Sequence, residues 1–257
     1  MNMKCKICGH NTELFDKATI LGKYEIKYYV CSHCGFVQTE EPYWLNESYS
    51  SAIANSDIGL IYRNTILVNK TNLLLKFLGN VQNALDYGGG YGVFVRMMRD
   101  HGWNFEWYDE NCMNLFAQNH EKSRDHYDVV SSYEVLEHLI DPISTLSEIF
   151  RLTDTLLFTT ELVSDPVPKI NDWWYYCTDH GQHISLYSKK SIEVIAQLFN
   201  KKHYFINGIH ILTSTNIPVN KIKFASDHYW LAKKIFNLKD RPSLLNQDYY
   251  EITGKTI

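Results

Sequence analysis

The sequence has few of the residues that mark fibrous, disordered or membrane-spanning chains. Of its 257 residues only 13 are Gly and 6 are Pro, whereas hydrophobic residues make up 45% and charged residues 21%. A chain of this composition can bury a core, which disfavours collagen-like, disordered and coiled-coil structures. Its length predicts one sizeable globular domain with a small appendage.

Long apolar runs are also missing. No stretch approaches the roughly 20 apolar residues that a membrane-spanning helix needs. The first segment, MNMKCKICGH, has no apolar run of signal-peptide length, so we expect a cytoplasmic protein without membrane association. The net charge of −4 argues against a dedicated nucleic-acid binder. Residues 201–257 are basic, but their lysines are scattered among apolar residues, which favours a solvated amphipathic face.

Four of the six cysteines form two C-x-x-C pairs near the amino terminus, Cys5 with Cys8 and Cys31 with Cys34. In a reducing compartment this spacing predicts a metal site rather than disulfides. Four thiolates complete a tetrahedral Zn²⁺ site with no open position, so the predicted ion is structural. Residues 21–30 alternate like one strand of the small hairpin that a zinc ribbon requires. Two redox pairs are the alternative.

A glycine-rich turn follows a short apolar strand at residues 81–87 and precedes a helical segment. The pattern is D-x-G-x-G-x-G, with Asp86 at the strand end and glycines at 88, 90 and 92. Such a turn lets the backbone approach a ligand and directs helix N–H groups at it. A second strand, residues 104–108, ends in Asp109 and Glu110, where an acid can accept hydrogen bonds from ribose hydroxyls.

These elements resemble the class I S-adenosylmethionine-dependent methyltransferases, as does the later segment YDVVSSYEVLEH with its following Asp-Pro. The resemblance implies that Asp86, Gly88, Gly90 and Asp109 hold the cofactor. It further implies that Tyr87, Gly92, Glu110 and Glu134 line the same pocket.

The resemblance also implies an α/β, Rossmann-like fold: a seven-stranded, mainly parallel sheet with one reversed hairpin strand and helices on both faces. We expect a zinc-ribbon module at residues 1–40, a linker at 41–57, the methyltransferase domain at 58–215 and a basic helical extension at 216–257. Within the domain we expect a helix over 58–78, a strand over 154–160, a helix over 189–199 and final strands within 203–213.

Methyl transfer to a hydroxyl or an acidic carbon requires a proton acceptor beside the acceptor atom. Two groups of residues qualify. One is the segment DWWYYCTDHGQHISLYS, in which we favour His183 as the base over its neighbour His180. The other is Glu134, Glu137 and His138, which share a face if the strand passes into a helix there. The preceding run of two Trp and two Tyr either lines the acceptor site or anchors its loop.

The segment DWWYYCTDHGQHISLYS, together with the cysteine pairs, resembles methyltransferases of sugar and capsular-polysaccharide pathways. In those enzymes a His in this region is a candidate base. The chain shows no counterpart of the large third domain of their C-methyltransferases. This leaves O- or N-methylation of a smaller polar acceptor more open.

A metal is a competing role for the E-x-x-E-H motif. It resembles the metal-binding motif of ubiquinone-pathway and small-RNA O-methyltransferases, in which an ion orients hydroxyls and lowers a pKa. Glu134, Glu137, His138 and His183 would then be the ligands of a divalent ion. Alternatively, the two acids complement a helix dipole and His138 caps it locally.

We therefore expect an S-adenosylmethionine-dependent methyltransferase that modifies a hydroxyl, amine or carbon of a small molecule. The acceptor is expected to be a nucleotide-activated sugar, another sugar derivative or a small phosphorylated metabolite of surface-glycan synthesis. An RNA methyltransferase, suggested by the zinc module and the basic tail, and a non-catalytic cofactor-binding scaffold are the alternatives.

Overall fold

The computed structural model describes residues 3–49 and 57–256, so residues 50–56 of the expected linker lie outside it. The strands are β1 Thr12–Ile20, β2 Tyr24–Cys31, β3 Val37–Thr39, β4 Ala84–Tyr87, β5 Phe105–Tyr108, β6 Val129–Tyr133, β7 Thr155–Thr159, β8 Ser185–Leu186, β9 Lys202–Ile206 and β10 Ile209–Thr213. The helices are α1 Leu45–Ser48, α2 Leu60–Leu75, α3 Val93–Asp100, α4 Pro142–Leu152, α5 Lys189–Leu198, α6 Val219–Asp227, α7 Tyr229–Ile235 and α8 Leu245–Thr253.

The larger sheet is mixed, with strand order β5-β4-β6-β7-β10-β9. Strands β5, β4, β6 and β7 are parallel, and β10 runs antiparallel to both of its neighbours. The expected reversed hairpin strand is therefore present. Because the carboxyl ends of the parallel strands meet at one edge, the segments that follow β4, β5 and β6 are brought together there.

This sheet has six strands in the described residues, not the expected seven. Between β5 and β6 the chain pairs with β5 at a single isolated parallel bridge, from Glu121 to Trp107. The rest of that segment is held as a loop by the Glu106 carboxylate, which accepts hydrogen bonds from Ser123 and Tyr127. One bridge is too short to form a strand, so the seventh strand is reduced to a contact at the sheet edge.

Helices pack on both faces of the larger sheet. In β7 the side chains of Leu156 and Phe158 pack into one core with residues of α4 and α5. The intervening Leu157 packs into the core formed with α2, α3 and α6. This alternation follows from the opposite directions of successive side chains along a strand, and it buries every residue of β7.

A second, antiparallel sheet has the order β1-β2-β3-β8. The first three strands come from residues 12–39, and β2 pairs with β1 as the expected hairpin. The fourth strand, β8, comes from the distant segment just after His183 and pairs Val37 with Leu186. The amino-terminal sheet is thus completed by the loop that carries a candidate base.

The carboxyl-terminal helices pack back onto the larger sheet's helices. Asp248 of α8 is buried and accepts hydrogen bonds from Arg99 at 2.5 and 2.9 Å and from Arg96 at 2.7 Å. Such charge-assisted bonds fix α8 against α3, since a buried carboxylate without them would be costly. Across the described part of the chain, no helix is long and apolar enough to cross a bilayer.

Candidate functional site

The glycine-rich turn lies between β4 and α3, at the edge where the parallel strands end. Gly88, Gly90 and Gly92 have φ values of 76°, 53° and 84°, which other residues rarely adopt. A Cβ atom on Gly88 would lie 2.6 Å from a methyl carbon of Val135. The turn therefore requires glycine both for its backbone conformation and for its close contact with the segment after β6.

Asp86 ends β4 beneath this turn and is only 4% exposed. Ser131 of the adjacent strand donates a 2.6 Å hydrogen bond to its carboxylate. Burial raises the pKa of Asp86 to about 7, against the effect of that hydrogen bond and with a smaller contribution from the charge of Asp109. A carboxylate placed this way favours a cationic group beside it, because the charge it holds is otherwise poorly compensated.

Asp109 follows β5 and links two backbone segments. One carboxylate oxygen accepts from the Gly90 N–H at 2.9 Å, and the other accepts from the N–H groups of Asn111 and Cys112. Each carboxylate oxygen can accept more than one hydrogen bond, so capacity for a ligand hydroxyl remains. The Glu110 side chain is exposed and accepts from the Tyr108 hydroxyl.

A cavity of about 350 Å³ opens beside these residues, within the range of small-molecule sites. We define its sheet side as Tyr87, Gly88, Gly90, Tyr108, Asp109 and Glu110, and its loop side as Tyr49, His138 and Gln182. Glu134 and Val135 also line it. Five of the eight residues predicted to bind cofactor thus lie on the sheet side, and a sixth, Glu134, borders the same space.

A smaller cavity of about 160 Å³ lies on the other side of the glycine turn. Asp86 and Glu134 line it together with Arg63 of α2. The Arg63 guanidinium donates two hydrogen bonds of 2.9 Å to Asp57, a bidentate pair that fixes its position. Gly92 lines neither cavity; it precedes the first residue of α3.

The structure brings Glu137, His138 and His183 together, with ligand-type atoms within 4.8 Å of one another. His183 Nδ1 lies 2.7 Å from the Tyr175 carbonyl oxygen, and His138 Nδ1 lies 3.2 Å from that of Gln182. A carbonyl only accepts, so both rings carry their proton on Nδ1 and present an Nε2 lone pair. Burial lowers the pKa of His138 to about 4 and that of His183 to about 2, which keeps both rings neutral.

Glu137 is completely buried, and neither of its carboxylate oxygens has a well-directed hydrogen bond in the described structure. Burial, with a smaller contribution from Glu134, raises its pKa to about 8, against the weaker opposing effect of the nearby Tyr175 and Thr160 hydroxyls. A buried carboxyl group whose contacts are so poorly directed is rare in a folded protein. Within the described residues, Glu134 does not belong to this group: its side chain accepts from the Thr159 hydroxyl at 2.7 Å, and its φ of 55° turns the chain away from β6.

His138 and His183 differ in their access to the large cavity. His138 lines it, whereas His183 is 8% exposed, lies behind His138 with a ring-centre distance of 4.9 Å, and is absent from the cavity lining. In the aromatic run, Tyr175 and Tyr176 are buried and Trp174 is 72% exposed. The two tyrosines therefore anchor the loop, and the run does not line the cavity.

The four paired cysteines converge, as their spacing predicts. Their Sγ atoms lie 3.5 to 3.6 Å apart in three contacts, close to the edge of about 3.8 Å that a tetrahedral zinc site with 2.3 Å Zn–S bonds would have. The two C-x-x-C-G turns are alike: Gly9 donates to the Cys5 carbonyl at 2.9 Å and Gly35 to that of Cys31 at 2.8 Å. The donor set and spacing fit one zinc ion.

Two residues of the loop side had no signal in the sequence. Tyr49 belongs to the polar segment expected to be a linker, yet its hydroxyl lies 3.1 Å from His138 Nδ1. The Gln182 side-chain amide donates to the Ser48 backbone carbonyl. The backbone carbonyl of Gln182 accepts from Nδ1 of His138. Only the adjacency of Gln182 to His183 could have drawn attention to it.

The fold and this edge of the sheet define a class of enzyme: an α/β protein that binds a nucleoside cofactor over a glycine turn and an acid on the next strand. A family model described as a methyltransferase domain matches residues 61–201, more than half of the chain. The chain belongs to this family and is an S-adenosylmethionine-dependent methyltransferase. No curated protein matches it.

Several solved structures match the chain at low identity, with TM-scores below 0.5. An O-methyltransferase family protein from Burkholderia thailandensis is 15% identical, with a TM-score of 0.44 and coverage of 67% of this chain and 68% of that one. Magnesium protoporphyrin IX methyltransferase from Synechocystis PCC 6803 is 14% identical, with a TM-score of 0.42 and coverage of 65% and 87%. Human N-acetylserotonin methyltransferase is 13% identical, with a TM-score of 0.45 and coverage of 67% and 66%.

Proposed function

We propose that this enzyme transfers a methyl group to a hydroxyl group of a sugar derivative or small phosphorylated metabolite used in surface-glycan synthesis. The observation that carries the proposal is the 350 Å³ cavity, which has the glycine turn and Asp109 on its sheet side and His138 on its loop side. On this proposal, the cofactor would lie at the sheet side of the cavity and the proton acceptor at its loop side. Amine and carbon acceptors are the less favoured variants of the same chemistry.

The sheet side would hold S-adenosylmethionine, which supplies an electrophilic methyl group on a sulfonium. The backbone at Gly90 borders open space, since a Cβ there would meet no protein atom within 4 Å, and this leaves it free to approach the cofactor. Asp109 would accept hydrogen bonds from ribose hydroxyls. Asp86 contributes negative charge from below the turn, next to the smaller cavity. Tyr87, Glu110 and Glu134 border the cofactor, and Gly92 allows α3 to begin where its first N–H groups face it.

The acceptor's proton would pass to His138 Nε2. His138 is neutral, its Nδ1–H is held by the Gln182 carbonyl, and it lines the cavity. His183 was the preferred base from sequence, but its ring lies behind His138 and does not reach the cavity lining. His183 packs against the His138 ring and would position it. An imidazolium on His138 would favour ionisation of the neighbouring Glu137, whose pKa burial raises to about 8.

A metal-assisted version of the reaction has one specific observation in its favour. Neither carboxylate oxygen of Glu137 has a well-directed hydrogen bond, and one ligand atom each of Glu137, His138 and His183 lie within 4.8 Å of one another. A backbone carbonyl orients each ring through Nδ1. Carbonyl-oriented imidazoles are the usual partners of a protein-bound ion. A divalent ion there would lower the pKa of a bound hydroxyl. The ligands would be Glu137, His138 and His183, with Glu134 held apart by Thr159.

We also propose that Cys5, Cys8, Cys31 and Cys34 bind a structural zinc ion. The ion would hold together the two turns that anchor the amino-terminal sheet. Ser188 ties this site to the rest of the enzyme, because its hydroxyl donates to the Cys34 carbonyl and also caps α5. The expected boundaries of a zinc module at 1–40, a methyltransferase domain at 58–215 and a helical extension at 216–257 stay part of the proposal.

The decisive experiment is a screen for S-adenosylhomocysteine formation with nucleotide-activated sugars and phosphorylated metabolites, each with a divalent ion and with a chelator. We expect turnover with at least one such acceptor. Failure of every small acceptor, combined with methylation of RNA and binding that weakens steeply with salt, would overturn the acceptor class in favour of the RNA alternative.

The base is tested with single variants on the acceptor found. His138→Ala should lower kcat by a factor on the order of 10², with cofactor affinity from calorimetry nearly unchanged. His183→Ala should have a smaller effect, and His126→Ala, an exposed His elsewhere, should have none. Unaltered kcat in His138→Ala would contradict its role, and a larger loss in His183→Ala would restore the base expected from sequence.

A further inference from the structure

A second cluster of potential metal ligands lies in the loop that follows the aromatic run. The side chains of Cys177, His180 and His183 each offer one ligand atom, and these atoms lie within 4.8 Å of one another. The spacing is C-x-x-H-x-x-H, and all three residues belong to one short stretch between the last aromatic residues and β8. None of the cysteines of the amino-terminal cluster takes part.

The backbone of this stretch is folded so that its side chains converge. Cys177 has a φ of 47°, an uncommon conformation for a residue with a Cβ, and its carbonyl accepts from the Gly181 N–H at 2.9 Å. The His180 N–H also donates to the Cys177 carbonyl at 3.3 Å. The Nδ1 atom of His180 lies 3.3 Å from the Gln182 N–H, a long hydrogen bond that an ion bound at this nitrogen would replace. A non-glycine residue held in this region is the kind of local strain that recurs at ligand sites.

The amino-terminal sheet fixes the turn from outside. Gly181 packs so closely that a Cβ there would lie 2.1 Å from a side-chain carbon of Ile20. Its carbonyl accepts from the indole N–H of Trp44 at 2.8 Å. The three ligand residues are thus carried on a segment that cannot relax outward, so little ordering would be needed when an ion binds.

His183 is oriented for coordination in a specific way. Its Nδ1–H donates to the Tyr175 carbonyl at 2.7 Å, which leaves Nε2 unprotonated. A ligating His commonly donates its other ring N–H to a carbonyl in this manner. One thiolate and two imidazoles form a set that suits zinc and other borderline transition ions and not Mg²⁺ or Ca²⁺. With three protein ligands, a fourth position stays open.

We propose that Cys177, His180 and His183 bind a transition-metal ion of the zinc class, at a site separate from the four-cysteine cluster. This site and a divalent ion at Glu137 and His138 would both need Nε2 of His183, so the two cannot be filled together. The binding itself does not depend on whether His183 takes part in catalysis.

The test uses the full-length protein with zinc in the four-cysteine cluster, titrated with Co²⁺ as the probe. We expect one further equivalent to bind with a thiolate-to-Co²⁺ charge-transfer band. Cys177→Ser should abolish the band. His180→Asn should weaken Co²⁺ binding by at least about tenfold, because removing even a group that only hydrogen-bonds to a metal ligand causes a loss of that size. Cys112→Ser, which alters the other lone cysteine, serves as the matched control and should keep the band.

Two outcomes would overturn the assignment. A band that persists in Cys177→Ser would arise from the four-cysteine cluster. A titration of the wild-type protein without any charge-transfer band would mean that the thiol does not bind the ion. Circular dichroism of each variant checks that a lost band does not come from loss of the fold.

Discussion

The two sides of the large cavity are built in different ways. The sheet side comes from the ends of β4 and β5, neighbouring parallel strands whose order in the chain places Tyr87 and Asp109 at one edge. The loop side combines Tyr49, His138 and Gln182 from three distant segments. Its loop is held by the amino-terminal sheet, through β8 and through Trp44.

If the proposed roles are right, cofactor binding and acceptor chemistry depend on different parts of the fold. The sheet side relies on the buried core of the six-stranded sheet. The loop side relies on the amino-terminal strands, whose own core includes Ile26, Val37 and Trp44. The paired cysteines pack instead into the core that β4, β6 and β7 share with α4 and α5, so they join the two sheets. Disturbing the amino-terminal sheet should therefore impair turnover far more than it impairs cofactor binding.

The largest expected effect comes from removing the proposed zinc ion. Cys31→Ser should lower turnover by a factor on the order of 10³ or more, because a structural zinc site contributes on the order of 10 kcal/mol to folding around it. Cofactor affinity measured by calorimetry should change only severalfold. Ser32→Ala, on the same turn and exposed, is the matched control.

A complementary measurement uses the wild-type protein, in case the variant does not fold. Chelation should abolish turnover and added Zn²⁺ should restore it, with cofactor binding retained throughout. If cofactor affinity and turnover are lost together, the two sides of the cavity are not independent and the comparison fails.

A smaller effect is expected at the sheet side, from the raised pKa of Asp86. Because that pKa is about 7, the carboxyl is mostly protonated at pH 6 and mostly ionised at pH 8. A cationic cofactor favours the ionised form, so its affinity should rise about tenfold from pH 6 to pH 8. Calorimetry in buffers of different ionisation enthalpy should detect proton release at pH 6.

Asp86→Asn should remove this pH dependence and leave affinity near the low value measured at pH 6. Ser131→Ala removes the hydrogen bond that favours the ionised carboxylate, so it should shift the rise in affinity to higher pH. An unchanged pH profile in Asp86→Asn would show that another group governs cofactor binding.

The smallest expected effect is at the loop side. Tyr49→Phe deletes the hydroxyl that lies 3.1 Å from His138 Nδ1. Since a neutral hydrogen bond contributes about 1 kcal/mol, kcat should fall about fivefold with cofactor affinity unchanged. Tyr43→Phe, in the same segment but exposed, should have no effect. A loss of cofactor affinity in Tyr49→Phe would assign Tyr49 to the sheet side instead.

Much of the sheet side could be predicted because its signals are local. The turn from Asp86 to Gly92 and the acid at Asp109 follow from glycine conformation and from strand ends. The convergence of the four cysteines was likewise implied by the paired C-x-x-C spacing. The roles of these residues in binding remain predictions, as do the module boundaries.

The remaining features depend on pairing between distant segments, which cannot be predicted from local sequence patterns. The seventh strand is reduced to a bridge at Glu121, and the loop after this bridge is hydrogen-bonded to the Glu106 carboxylate through the Ser123 N–H. The exclusion of Glu134 from the group formed by Glu137, His138 and His183 depends on Thr159 of a neighbouring strand. Side-chain partners of this kind are set by the sheet order.

The glycine turn, the strand-end acid and the two matched cysteine pairs can be recognised from the amino-acid sequence, because each is specified by residues close together in the chain. The packing of distant segments makes His138, and not His183, a lining residue of the cavity. It also brings Tyr49 and Gln182 into the same lining. The reason is physical: β8 pairs with β3 across about 150 residues, and this pairing sets the position of the loop before it.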